Sequence, residues 1–327
     1  MDYRREELRR AAPFVMAMLL TTLLPLNAAA LFGSKKAEEP KAGAPIAKNM
    51  EVKAYRGVPY TGTLSAVDNE GETVTFSLAT LPAKGEVSLE GETFVYTPEK
   101  NKAGMDSFSY IATDESGNAS VPAMVRIHIS RVSSGVDYAD TDGRTCATAA
   151  VDLAEHGVFV GSRVGEDWFF EPDRLVSRGE FVTMAMAAAG LRPSDVTVTG
   201  FSDDDAIPTW AKGSVAGALA AGVVYGSAES NGMAFHPDDA VTLSEAAAVV
   251  NRILKVTDVN VTDYEEKPWY AQAVANLESV SIAPTGGFSG EALPACLTRA
   301  EAAELLSAAM ALAEARAANQ SVWSRIF

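Results

Sequence analysis

Histidine and cysteine are scarce in this chain, with three His and two Cys among 327 residues. His128 falls on the polar phase of an alternating run, His156 just before a helix-ending glycine, and His236 inside a Phe-x-Pro step. None builds a His/Cys metal spacing, and there is no nucleophile elbow and no phosphate-cradling glycine loop. Carboxylates are plentiful, but abundance is not placement, so the expectation is a protein that is not an enzyme and has no catalytic residue. Positive charge is also in deficit: 27 Lys and Arg against 43 Asp and Glu give a formal charge of −16. Such a field opposes nucleic acid and anionic membrane surfaces, and any acidic ligand then needs a local basic site. Only Cys146 and Cys296 are available for a disulfide, which an exported location permits; two unpaired buried thiols are the alternative.

Long apolar runs are equally rare. The one near the start, Ala11 to Leu26, follows Arg4, Arg5, Arg9 and Arg10 and ends in Asn27-Ala28-Ala29-Ala30. That layout predicts a secretory signal peptide over residues 1–30; the run is short for a bilayer span and holds Pro25. The expectation is an exported protein at the cell surface, with no membrane span after cleavage. Residues 31–49 mix Lys, Glu, Ala, Gly and Pro without apolar period and read as a flexible linker.

From residue 50 to 131 the period is two. Val74, Phe76 and Leu78 alternate with polar residues, as do Phe94 and Tyr96, then Phe108, Tyr110 and Ala112, then Val125, Ile127 and Ile129. Turn chemistry separates the runs at Asp68-Asn69-Glu70-Gly71, Glu90-Gly91 and Glu115-Ser116-Gly117. Short strands at this spacing predict a small β-sandwich. The stretch from Gly85 to Ile129 resembles the bacterial Ig-like and cadherin-like repeats of secreted surface proteins. Some of those relatives bind calcium between repeats, and the resemblance makes Asp68, Glu70 and Asp114 hard oxygen ligands of the right type. A single copy lacks the neighbouring repeat that completes such a site, so no cofactor is expected.

Beyond about residue 136 the pattern turns helical and repeats. SRGEFVTMAMAAAG at 177, TLSEAAAVVNRIL at 242 and TRAEAAELLSAAM at 298 share a Ser/Thr-x-x-Glu start, the capping box that opens a helix. A second helix lies upstream of each. Gly157 to Gly222 and Arg178 to Leu243 are both 65 positions apart, whereas Glu245 to Glu301 is 56. Two units are thus in register and the third is shortened. An arginine follows the capping residue at Arg178 and Arg299, where a cation faces the positive end of the helix dipole at a cost of a few tenths of a kcal/mol. Something has to offset that cost.

The order acidic turn, Trp helix, Gly-containing loop, aromatic-x-Pro, capping-box helix is similar to that of the S-layer homology (SLH) domain. It appears as FSDDDAIPTWA, GVVYG and FHP in the second unit, as YADTD, GVFVG, FEP and SRGE in the first, and as VTDY, PWYAQAV and LTRAE in the third. The resemblance implies three SLH units at 138–195, 199–256 and 259–316, followed by a C-terminal tail at 317–327. The fold class expected is therefore multidomain: an N-terminal all-β Ig-like sandwich followed by an all-α, pseudo-threefold SLH helical bundle. It further implies non-covalent anchoring to a secondary cell-wall polysaccharide, often through sugars carrying a pyruvate ketal.

On that resemblance Arg178 and Arg299 bind a carboxylate, which a guanidinium grips bidentately, beside helix N-termini that favour anions. Glu180 and Glu301 cap the helices and orient the groove. Trp210 and Trp269 stack on a sugar face or belong to the core; Asp203 and Asp263 accept hydroxyl hydrogen bonds or cap the following segment. Gly161 and Gly226 let backbone approach ligand, or supply positive φ as Gly157 and Gly222 do after their helices. The pseudo-threefold arrangement would bring Cys146 and Cys296 together. Departures limit the site count: Leu243 stands where arginine is expected, Thr145 in the Trp position, and Ser281 and Pro284 near glycine positions. Other partners consistent with the sequence are peptidoglycan itself, or a protein bound by the Ig-like domain of an adhesion or scaffold protein.

Overall fold

The computed structural model describes residues 43–257, 268–284, 286–288 and 292–326, with side chains as far as Ala318. The segment expected to be a signal peptide, residues 31–42 of the expected linker, and Asp263 lie outside these residues; residues 43–49, expected as linker, instead belong to the sandwich, where β1 pairs with β4. Residues 39–313 form one compact unit.

Its first part is built of β1 (Ile46–Ala47), β2 (Met50–Tyr55), β3 (Tyr60–Thr63), β4 (Ala66–Val67), β5 (Thr75–Thr80), β6 (Gly85–Glu90), β7 (Thr93–Pro98), β8 (Gly104–Thr113) and β9 (Ala123–Ser130). One sheet runs β2-β9-β8-β5, a second β3-β7-β6, and β1 pairs with β4. The β2–β9 pair is parallel and the other pairs of the two larger sheets antiparallel. Alternation decides which face turns inward: Phe94, Tyr96, Phe108, Tyr110, Val125, Ile127 and Ile129 are all at most 1% exposed, while Arg126 and His128 between them are exposed. Each such side chain contributes about 1.5–3 kcal/mol on burial. The buried phenols find partners, Tyr96 donating to Asp106 (2.7 Å) and Tyr110 to the carbonyl of Ser65 (2.8 Å).

The sandwich is bolted to the helical part at one carboxylate. Asp152, 6% exposed in α1 (Ala147–Glu155), accepts from Lys53 Nζ (2.9 Å) and the Tyr55 hydroxyl (2.6 Å) of β2. It also accepts from Ser307 Oγ at 2.9 Å, and His156 Nδ1 stands 3.6 Å away. The connecting chain is pinned by Glu155, which accepts from the amides of Ser133 (2.8 Å) and Ser134 (2.7 Å).

Beyond α1 come β10 (Ser162–Val164), β11 (Asp167–Phe169), α2 (Arg178–Ala188), α3 (Thr209–Ala220), β12 (Ser227–Glu229), β13 (Gly232–Ala234), α4 (Leu243–Leu254), α5 (Ala271–Ser279) and α6 (Arg299–Ile326). The all-α expectation is corrected here, because β10–β11 and β12–β13 are antiparallel hairpins. Three residues per strand are too few for a period of two to register in sequence. The hairpins are separated by the same 65 positions as their helices, so the repeat is structural. The segment expected as a tail continues α6.

Reciprocal capping boxes start α2 at Ser177 and Glu180 and α4 at Thr242 and Glu245. At α6, the Thr298 amide donates to Glu301 (2.7 Å) and the Glu301 amide to Thr298 Oγ1 (3.3 Å). The residues just before these caps hydrogen-bond in a closed ring: the Val176 amide donates to Leu297 (3.0 Å), the Leu297 amide to Val241 (2.8 Å), and the Val241 amide to Val176 (3.0 Å). Each helix start therefore lies against the segment leading into the next. Beneath the ring, Phe181, Val182, Ala246, Ala247, Leu305 and Leu306 are at most 1% exposed.

The expected disulfide is corrected, because Cys146 and Cys296 are both free. Cys296 bridges to Thr242 at the start of α4 and is exposed, while Cys146 is buried at the start of α1; both thiols are free. Cys296 lies exposed where the segment before α6 pairs with the start of α4, whereas Cys146 is enclosed. Burial pushes the Cys146 thiol up to about 11.

Candidate functional site

A groove of about 380 Å³ opens between α2, α4, the loop after α3 and the residue pair before α5. Arg178 enters from α2, Glu245 and Arg252 from α4, Tyr225 and Gly226 from the loop, and Trp269 from the third unit. Phe181, Phe235, Val241 and Val249 make its apolar floor. The groove is thus composed by all three helical segments, which explains why no single repeat displays it.

Arg178 sits at the first position of α2 because Ser177 caps the helix, and it reaches across to α4. Its Nη2 lies 2.9 Å from Glu245 Oε1, whose other oxygen accepts the Thr242 amide at 2.9 Å. The salt bridge that competes with ligand binding for this arginine is therefore real, yet it occupies only part of the fork: Arg178 Nε is buried without a hydrogen-bond partner. A buried, unmet donor on a cation costs about 1–3 kcal/mol or more. Arg252 lies with its guanidinium carbon 4.8 Å from the Tyr225 ring centre and donates to the Val223 carbonyl at 3.0 Å. Trp269 and Tyr225 are 64% and 57% exposed. The Trp269 ring packs edge-on to Tyr270 at 5.5 Å, which limits its orientations. The core alternative for the tryptophans does not hold: Trp210 too is 58% exposed, at the start of α3 and outside this groove's lining.

Arg299 has the same sequence position as Arg178 and a different fate. It is 3% exposed; its Nη1 donates to the Phe170 carbonyl (2.6 Å) and to Glu171 (3.0 Å), with the guanidinium carbon 4.7 Å from the Phe159 ring centre. The expectation of a ligand-binding Arg299 is corrected: its donors are turned inward, and it clamps α6 to the first unit.

The remaining expected site residues are absorbed by the scaffold. Asp203 accepts the Phe235 (2.8 Å) and His236 (2.7 Å) amides, and Asp140 does the same for Phe170 and Glu171. Both carboxylates hold the aromatic-x-Pro step, so Asp203 is not free to accept sugar hydroxyls. Gly161 and Gly226 have φ of +77° and +73°, and a Cβ there would lie 2.4 Å from the Phe169 carbonyl oxygen and 2.6 Å from that of Ala234. Hairpin closure, rather than ligand approach, requires them. Glu180 is shared between its cap and Arg174 (2.7 Å), and Glu301 serves its own cap. In the sandwich, Asp68 accepts the Glu70 amide and Asp114 the Asn118 amide (2.8 and 2.7 Å). Among the described residues no three His, Cys, Asp or Glu side chains are grouped to hold a metal. Sequence reading missed Tyr225, Glu245 and Arg252 as groove residues; only Glu245 carried a signal, its capping box, and that pointed to helix initiation.

Comparison with known proteins accords with this architecture. Residues 42–128 match the family model of the bacterial Ig domain. Residues 200–247, which include Trp210, Tyr225, Gly226 and Glu245, match that of the S-layer homology domain. The chain therefore joins a bacterial Ig module to an SLH module, two non-catalytic families, and the SLH module associates proteins with the cell wall or cell surface. A search of the curated proteins finds no match. Among solved structures, an endo-fucoidan hydrolase of glycoside hydrolase family 107 is 21% identical, with TM-score 0.24, over 27% of this chain and 14% of that one. The fibronectin(III)-like modules of Clostridium thermocellum CbhA are 26% identical, with TM-score 0.20, over 27% and 47%. The SrpA adhesin of Streptococcus sanguinis is 18% identical, with TM-score 0.21, over 30% and 61%. The chain spans less than two thirds of each of these, and the likenesses bear on neither activity nor ligand. Among the described residues no helix is long and apolar enough to cross a membrane.

Proposed function

We propose that this is an exported surface protein anchored non-covalently to the cell wall, its helical region forming three SLH units in pseudo-threefold array that bind an anionic, pyruvylated wall polysaccharide. The closed ring of hydrogen bonds through Val176, Leu297 and Val241 supports the threefold reading. The observation that carries the binding site is the unmet, buried Nε of Arg178 in a groove flanked by two exposed aromatic faces. A sugar ring stacks on Trp269 and its carboxylate takes the free donors of Arg178, where a charge-assisted hydrogen bond is about twice as strong as a neutral one. One groove does this work, because Leu243 removes the arginine from the second helix start and Arg299 is enclosed.

The test is co-sedimentation of the full chain with purified cell-wall sacculi, before and after chemical removal of the accessory polymer, beside Arg178→Ala. Retention by intact sacculi, lost on polymer removal and weakened about tenfold or more in the variant, is the expected result. Undiminished binding to stripped sacculi would make peptidoglycan the ligand instead.

A further inference from the structure

Arg178 and Glu245 neutralise one another across the groove, so its charge rests on Arg252. Among the described residues no carboxylate pairs with that arginine; it donates to the Val223 carbonyl and lies over the Tyr225 ring. In a chain of formal charge −16, this half-buried guanidinium lines the groove with no ion-pair partner among the described residues. The repeat sharpens the point. Counting from the capping-box glutamates, the positions equivalent to Arg252 are Ala187 in α2 and Ala308 in α6. At this position arginine occurs only in α4, where it lines the groove that also holds Arg178 and Trp269. The helix without an N-terminal arginine, which has Leu243 there, thus carries one about two and a half turns further on, lining the groove that holds Arg178.

We propose that Arg252 is a ligand-binding residue that selects for anionic saccharide, pairing with the same acidic group that Arg178 meets. This rests on the groove being the wall-polysaccharide site. Tyr225 lies against the guanidinium by a cation–π contact and Val223 takes one Nη1 donor, so the remaining donors of the fork serve the carboxylate. Two guanidiniums with a single opposing carboxylate make the groove discriminate by charge, whereas Trp269 discriminates only by shape.

The experiment measures retention of the full chain on polymer-bearing sacculi and on the same sacculi after carbodiimide amidation of their carboxylates. Wild type is compared with Arg252→Gln, Arg252→Lys and Trp269→Ala, and melting curves check that each variant folds. The glutamine keeps a polar side chain but loses the charge. The expected result is a loss of about tenfold or more for Arg252→Gln, partial recovery for Arg252→Lys, and no difference among wild type and the two Arg252 variants on amidated sacculi. If Trp269→Ala abolishes binding while Arg252→Gln binds as wild type, the groove reading survives and the role of Arg252 is overturned. If neither variant affects wild-type retention, the groove is not the wall site and both fall. An equal loss for Arg252→Gln on native and amidated sacculi would make Arg252 a packing residue only.

Discussion

Arg178 and Arg299 are each the first residue of a capped helix, and the difference between them lies in what stands opposite. Arg299 meets the Phe170 carbonyl, Glu171 and the Phe159 ring; Arg178 meets Glu245 on one edge and nothing at Nε. Removing Arg299 therefore acts on stability. Arg299→Ala should lower unfolding free energy by about 2–3 kcal/mol, the scale of a lost hydrogen bond to a charged group. Urea unfolding followed by circular dichroism is the check, and an unchanged midpoint with weakened wall binding would restore Arg299 to the ligand site. The arginines themselves are legible in sequence, as is their unfavourable position on the dipole. Their burial is not, because it depends on whether Glu171 or His236 occupies the aromatic-x-Pro step of the unit that each one faces.

Among the elements, the capped helices are the most legible, since a capping box is a local pattern of two residues three apart. The hairpins that shape the groove are the least. Each closes only because a glycine accepts a positive φ next to a carbonyl oxygen, as Gly226 does against Ala234. Gly226→Ala should cost about 1–3 kcal/mol from the forbidden conformation, and more from the backbone clash. Gly165→Ala, where φ is +66° with nothing within 4 Å of the added Cβ, should incur the conformational part alone. Denaturant titration of both variants separates the two contributions, and equal losses would mean that the close approach does not constrain the hairpin. Where the third unit has Ser281 in place of the glycine after its first helix, the chain still takes φ of +58°: the geometry outlasts the residue that favours it.

On the scale of the whole molecule, Asp152 joins the sandwich to the helical region. Burial opposes its ionisation, but the hydrogen bonds from Tyr55, Lys53 and Ser307, together with the Lys53 charge, outweigh it and hold the carboxyl below the ordinary value of 3.8. A group whose folded value is depressed contributes stability above its unfolded value, and that contribution disappears as pH falls through the folded one. The joint should accordingly be fully formed at neutral pH and weaken only below about pH 4. Asp152→Asn should cost about 2 kcal/mol at pH 7, with the gap from wild type closing as pH falls from about 5 to 2. Paired pH melts of the two proteins test this; a gap independent of pH would show that Asp152 works by shape and not by charge.

Local chemistry determined much of this protein. The period of two in residues 74–129, the three capping boxes and the 65-residue spacing each specify structure through neighbours in the chain, and the charge deficit opposes nucleic acid whatever the fold. Tertiary structure decided the rest. The groove collects Arg178, Arg252, Tyr225 and Trp269 from three helical segments; Arg299 and Asp203 are consumed as clamps; the two cysteines stay free, one buried and one exposed. The reason is physical: whether a polar group is available to a ligand depends on the partners already within about 3 Å of it, and those partners come from distant parts of the chain.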